Sequence, residues 1–288
     1  YQELPPPSEQ WCYYYQKADL ARQAGDWQQV AAIGEIAFQL EDSPNRAAER
    51  VPFIEGYAHT EDWDRALAVV AHPDDMEYGA ASAVARWTGQ GKDIRYLLVT
   101  KGEAGIQSMP PAEVGPARVE EQRRSCAAVG VTDVAFLDRP DGLVEGGVAL
   151  RADLAEAIRH HRPEVILSIN YRDSWGGPSW NHVDQREVGI ALLDAARDAG
   201  NPWVFTDRGD AWNGVRLLAF SGSPQPSHAV DVTDHLDAGI ASLRCHELYL
   251  ANLGGDMADP GSFLRSAAEA AGPSLGVELA TTFEVIQV

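Results

Sequence analysis

Cysteine is scarce in this chain: Cys12, Cys126 and Cys245 are the only three, odd in number and widely spaced. No Cys-x-x-Cys pair occurs, which removes support for a zinc ribbon or a disulfide framework and suits a reducing compartment. No apolar run nears the roughly 18–20 residues of a membrane span. The first residues, Tyr1-Gln2-Glu3-Leu4-Pro5-Pro6-Pro7, have neither the basic nor the apolar region of a secretory signal. A cytoplasmic protein is the expectation. Basic residues are in deficit, 23 Lys plus Arg against 43 Asp plus Glu, for a formal charge of −20. Such a surface repels phosphate backbones and anionic lipid, which argues against nucleic acid as the main partner. Gly-x-Gly-x-x-Gly, the P-loop and the Gly-x-Ser-x-Gly elbow are all missing, so nucleotide and serine-hydrolase chemistry have no foothold.

What is present falls into two parts, residues 1–62 and 63–288. In the first, apolar or small residues at helical spacing (Tyr14, Ala18, Ala21, Ala24) predict a helix from Trp11 to Asp26. Val30, Ile33, Ile36, Ala37 and Leu40 predict a second from Trp27, and a third helical run covers about 47–59. The pairs Asp26-Trp27 and Asp62-Trp63 lie 36 residues apart. That is near the ~34-residue tetratricopeptide period. The segment reads as a helical hairpin, a candidate contact for a protein partner or a second copy of the chain.

From Ala66 the pattern alternates. Strands are expected at 66–71, 94–99, 134–137, 164–169, 215–220 and 280–286. Helices are expected at 79–88, 116–129, 150–161, 184–199 and 234–253. This order predicts a three-layer, Rossmann-like α/β fold with a mostly parallel sheet and helices on both faces. Ligands of such sheets bind beyond the carboxyl ends of the strands. That rule points to the loops at 72–78, 100–106, 138–144 and 170–185.

The first of these loops reads Ala71-His72-Pro73-Asp74-Asp75-Met76-Glu77. A buried strand here runs directly into an imidazole and two adjacent carboxylates. Divalent zinc accepts both donor types. One carboxylate can bind metal while its neighbour takes a proton. The competing reading is a helix start, with an Asp as N-cap and Pro73 as turn former.

The His72-Pro73-Asp74-Asp75 segment resembles the signature of the PIG-L/LmbE-like de-N-acetylase family. That family includes N-acetylglucosaminyl-phosphatidylinositol deacetylases and the deacetylases of mycothiol and bacillithiol synthesis. Three further segments resemble it in order: Thr100-Lys101-Gly102-Glu103, the Arg118 to Glu121 helix start, and Leu137 to Gly142. The resemblance runs from about Trp63 to about Leu253. It implies a zinc or similar divalent centre with His72 and Asp75 as ligands and Asp74 as general base. It places the third ligand in a His-x-Asp-His-Arg segment, which here reads His182-Val183-Asp184-Gln185-Arg186. The usual third ligand is thus Gln185, whose neutral amide oxygen binds zinc more weakly than imidazole. Three outcomes stay open: Gln185 binds through its oxygen, His182 replaces it, or the metal is lost. The resemblance further assigns His182 to the oxyanion and His246 to the substrate pocket, where Glu103, Arg118 and Asp184 are also expected; Asp184 can in addition orient His182 or a metal ligand, or cap the helix that follows. The implied activity is removal of an acyl group from the amide nitrogen of an amino sugar or related small conjugate. The rival is a metal-poor, non-catalytic binding domain that carries a helical interaction module.

Overall fold

The computed structural model describes residues 10–40, 47–50, 52, 53, 56, 60 and 63–288. The chain divides into two compact units, residues 1–63 and 64–288. In the first, helices α1 (Trp11–Gln23) and α2 (Trp27–Ala37) share a core of Trp11, Ala18, Ala21, Val30 and Ile33, joined by Phe53. Asp26 caps α2 by accepting from the Gln29 backbone N–H. Ala47–Arg50 form a 3-10 turn, and the rest of the expected third helix lies mostly outside the described residues.

The second unit is built on a seven-stranded sheet in the order β3-β2-β1-β4-β5-β7-β6. Its strands are β1 (Arg65–Val70), β2 (Asp93–Leu98), β3 (Val134–Phe136), β4 (Val165–Ile169), β5 (Leu217–Ser221), β6 (His228–Asp231) and β7 (Ala280–Gln287). The first five strands run parallel; β7 is antiparallel to both β5 and β6. Leu67, Val69, Leu97, Ile166, Leu218 and Phe220 point to one face, where they meet α6 (Val148–His161) and α7 (Val183–Gly200). The alternate residues Ala66, Ala68 and Val70 are buried as well. Burial on both faces is why β1 reads as an unbroken apolar run and not as an alternation.

The remaining helices are α3 (Asp75–Gly79), α4 (Ala81–Gly89), α5 (Pro111–Ala128), α8 (Leu236–Arg244), α9 (Glu247–Asn252) and α10 (Pro260–Ala271). Four differ from expectation. The α5 helix starts five residues before Pro116, because Pro111 takes the first helical position that suits proline. The predicted helix over 234–253 breaks at Cys245 and His246 into α8 and α9. The α10 helix and the short edge strand β6 carried too little pattern to be expected. No helix among the described residues is long and apolar enough to cross a membrane.

The strand order reverses direction between β1 and β4. A crevice opens there beyond the strand ends, the usual ligand position in an open α/β sheet.

Candidate active site

Leaving β1, the chain passes through His72 and Pro73 and enters α3 by way of Asp74. Asp74 has φ 87° and ψ −19°, the left-handed region that non-glycine residues avoid. Such a residue costs about 1–3 kcal/mol and persists only when its surroundings hold it. Here Arg118 does so: its Nη2 donates to Pro73 O at 2.5 Å and to Asp74 Oδ1 at 3.0 Å, and its Nη1 to Gly102 O at 3.1 Å. Gln122 Oε1 accepts the Asp74 backbone N–H at 3.2 Å. Gly102, at φ +63°, lets the guanidinium lie close; a Cβ there would fall 2.3 Å from Arg118 Nη1. Burial pushes the Asp74 carboxyl up, Arg118 draws it back and Asp75 raises it again, leaving it at about 6.

His72 sits among three carboxylates. Its Nε2 lies 3.0 Å from Asp141 Oδ1 and 3.1 Å from Asp184 Oδ2, and its Nδ1 lies 3.6 Å from Asp75 Oδ2. Burial disfavours charge on this ring, but Asp141, Asp184 and Asp75 outweigh burial and hold its pKa well above the ordinary value. Asp184 is fully buried and also accepts backbone N–H groups, Gly142 on Oδ2 at 2.7 Å and Val144 on Oδ1 at 3.1 Å. With Nε2–H directed at Asp184 and Asp141, Nδ1 is the nitrogen left facing Asp75. Carboxylates that orient a ligand imidazole in this way are the usual support of a metal site.

Gln185, from the first turn of α7, reaches the same place. Its Nε2 donates to Asp75 Oδ1 at 2.6 Å, and its Oε1 is buried with no partner. An unpaired buried acceptor beside a carboxylate and an imidazole nitrogen is a donor set that a divalent cation fits once it displaces the ring's proton. A second grouping exists: His72, His182 and Asp184 each offer an atom within 4.8 Å of the others. In both groupings the carboxylate oxygens already accept hydrogen bonds, Asp184 from Gly142 and Val144 N–H and Asp75 from His72 N–H and Gln185 Nε2; the set of His72, Asp75 and Gln185 is the one that adds an unpartnered acceptor, Gln185 Oε1.

His182 packs edge-on to His72, ring centroids 4.9 Å apart. Its Nδ1 accepts the Asp184 backbone N–H at 3.2 Å. The neutral ring therefore carries its proton on Nε2, where it can donate to an oxygen.

His72, Asp74, Asp75, Arg118, His182 and Gln185 line one cavity of about 1150 Å³. Three other residues expected in the pocket are elsewhere. Asp184 lies behind His72, as described. Glu103 fastens loops together, Oε1 accepting from Asp141 N at 2.9 Å and Oε2 from Lys101 N at 3.2 Å. His246 is off the wall and fully buried, its Nε2 3.6 Å from Glu77 Oε2. The break between α8 and α9 turns this ring inward, and Tyr249 takes the wall position, its ring 4.1 Å from the Arg118 guanidinium carbon. Sequence reasoning missed Asp141, Gln122 and Tyr249. The Asp141-Gly142 turn after β3 was a usable signal for the first; the other two gave none.

The sequence profile of the GlcNAc-PI de-N-acetylase family, PIG-L, matches residues 67–196, a span that holds every residue converging on His72. The α/β unit carries this PIG-L domain match and fits the PIG-L/LmbE-like de-N-acetylase family. This PIG-L unit is similar to the diacetylchitobiose deacetylase of Thermococcus kodakarensis, 28% identical over 193 residues that cover 65% of this chain and 70% of the relative. It is also 28% identical, over 215 residues covering 60% of this chain and 71% of the relative, to the 1D-myo-inositol 2-acetamido-2-deoxy-alpha-D-glucopyranoside deacetylase of Geodermatophilus obscurus. The fold matches that of N,N'-diacetylchitobiose deacetylase from Pyrococcus horikoshii with a TM-score of 0.72 at 20% identity, over 86% of this chain and 95% of that one.

Proposed function

We propose that this protein is a zinc-dependent amidase that removes an acyl group, acetyl in the simplest case, from the nitrogen of an amino sugar or amino-sugar conjugate. The observation that carries the reading is the meeting of His72, Asp74, Asp75, His182 and Gln185 on one cavity wall, with the Gln185 oxygen buried and free. The relatives named above, deacetylases of diacetylchitobiose and of an N-acetylglucosaminyl inositol, support the substrate class.

His72 Nδ1, Asp75 and Gln185 Oε1 would hold the metal. When bound, it supplies Lewis-acid polarisation of the amide carbonyl and makes water more acidic. The chain's own residues do the rest. Asp74 takes a proton from the attacking water and delivers it to the leaving nitrogen. Arg118 holds that carboxylate in position from one side. His182 Nε2–H donates to the oxygen that gains charge as the carbonyl carbon becomes tetrahedral. The C–N bond breaks, water's oxygen stays on the acyl carbon as carboxylate, and the amine leaves carrying both of water's protons as an ammonium.

Zinc content and amine release from N-acetylglucosamine and diacetylchitobiose test this assignment together. His72→Ala should lose both metal and turnover. Asp74→Asn should keep its zinc and lose turnover by about 10²–10⁴-fold, the usual contribution of a general base. Equal zinc loss in the two variants would overturn the division of roles.

A further inference from the structure

The cavity extends far beyond its polar wall. Its volume of about 1150 Å³ exceeds the roughly 300–1,000 Å³ of ordinary small-ligand pockets. At the end away from His72 it runs between α4, α8, α10 and β7. Leu236 of α8, Phe263, Leu264 and Ala267 of α10, and Ala280 of β7 line that end. The other lining residues of these four elements are alanine, serine and threonine, so none of the four contributes a charged side chain, and Tyr78 of α3 packs edge-on against Phe263, ring centroids 5.3 Å apart. The distance is considerable. In the sheet, β7 stands three strand positions from β1, about 14 Å at the usual spacing of ~4.8 Å between strands. An acetyl group adds a single C–C bond of about 1.5 Å beyond the carbonyl and leaves most of a cavity of this volume unfilled.

We propose that this arm receives an aliphatic chain carried by the substrate, so that the preferred substrates are amino-sugar amides bearing a medium-length alkyl or acyl chain. The inference rests on the amidase reading. The apolar arm is continuous with the wall that holds Asp74 and Gln185, so one molecule can occupy both. A chain of this chemistry has two sources: the acyl group on the nitrogen, or an alkyl aglycone on the sugar.

Two substrate series given to the zinc-loaded full chain separate them. One is N-acyl glucosamine from acetyl to decanoyl; the other is alkyl glycosides of N-acetylglucosamine from methyl to decyl. In one series kcat/KM should rise about three- to fourfold per added methylene over several carbons, the fold-change that burying one CH₂ produces. The series that rises identifies the source. Ala267→Phe and Ala271→Leu, which narrow the arm from different turns of α10, should each compress the long-chain to short-chain ratio at least tenfold. Flat responses in both series overturn the proposal. Should no member of either series be hydrolysed, the amidase reading fails, and calorimetry with octyl glucoside and decanoate decides the arm separately. Binding by the natural chain that both variants weaken upholds the arm; no binding, or binding that neither variant weakens, removes it.

Discussion

The Gln185 side chain donates its Nε2 to Asp75 Oδ1 at 2.6 Å while its own Oε1 is buried without a partner. The two facts are linked. An amide that turns its nitrogen toward a carboxylate must turn its oxygen away from it, and here the oxygen turns to where the third ligand of a metal site would stand. On the proposed reading, a carboxamide at this position keeps a donor in place but gives up affinity, since a neutral oxygen binds zinc less strongly than imidazole.

Gln185→His should therefore release zinc to a chelator more slowly than the natural chain, and Gln185→Leu should release it faster. A metallochromic dye that follows zinc release measures both. His182→Ala should leave zinc content unchanged and lower turnover by about 10²–10³-fold, as loss of one oxyanion donor does. Zinc loss on His182→Ala would instead assign the metal to His72, His182 and Asp184.

Gly102→Ala tests how strictly the Asp74 turn depends on Arg118. The new Cβ would stand 2.3 Å from Arg118 Nη1, at a backbone φ of +63°. A non-glycine residue held in that region costs about 1–3 kcal/mol. The expected result in urea unfolding is a loss of that order. Turnover should fall as well, because a displaced guanidinium releases Asp74. Natural stability and turnover in the variant would mean that the loop yields without moving Arg118.

The loop that carries Trp175 and Trp180 on the cavity rim is moored to β7 by charge. Arg172 Nε donates to Glu284 Oε2 at 3.2 Å, its Nη2 pairs with Oε1, and Ser223 Oγ donates to Oε2 at 2.5 Å. Burial pushes the Glu284 carboxyl up, but Arg172 and Ser223 together hold it below its ordinary 4.5. A carboxylate with a lowered pKa in the folded state stabilises the fold above its unfolded value, and that contribution disappears as pH falls through the folded one. Glu284→Gln should thus lose stability at neutral pH, with the gap to the natural chain closing below about pH 4.5. Urea midpoints from pH 7 down to pH 3 measure it. A gap independent of pH would show that packing, not charge, moors the loop.

The sequence by itself determined the α/β alternation, because buried parallel strands and amphipathic helices have different apolar periods that survive in one dimension. The order His182, Asp184, Gln185, Arg186 was legible as a motif, but that Gln185 Nε2 meets Asp75 Oδ1 depends on the fold. Tertiary structure decided what depends on contacts between distant segments. The break at Cys245 and His246 left no mark in composition, yet it buries His246 against Glu77 and turns Tyr249 to Arg118. Asp141 meets His72 only because β3 and β1 end at the same edge of the sheet. The apolar arm joins α8, α10 and β7, elements that lie beyond the span shared with the family profile. A cavity is a property of how elements enclose space, and no local pattern of residues encodes its volume.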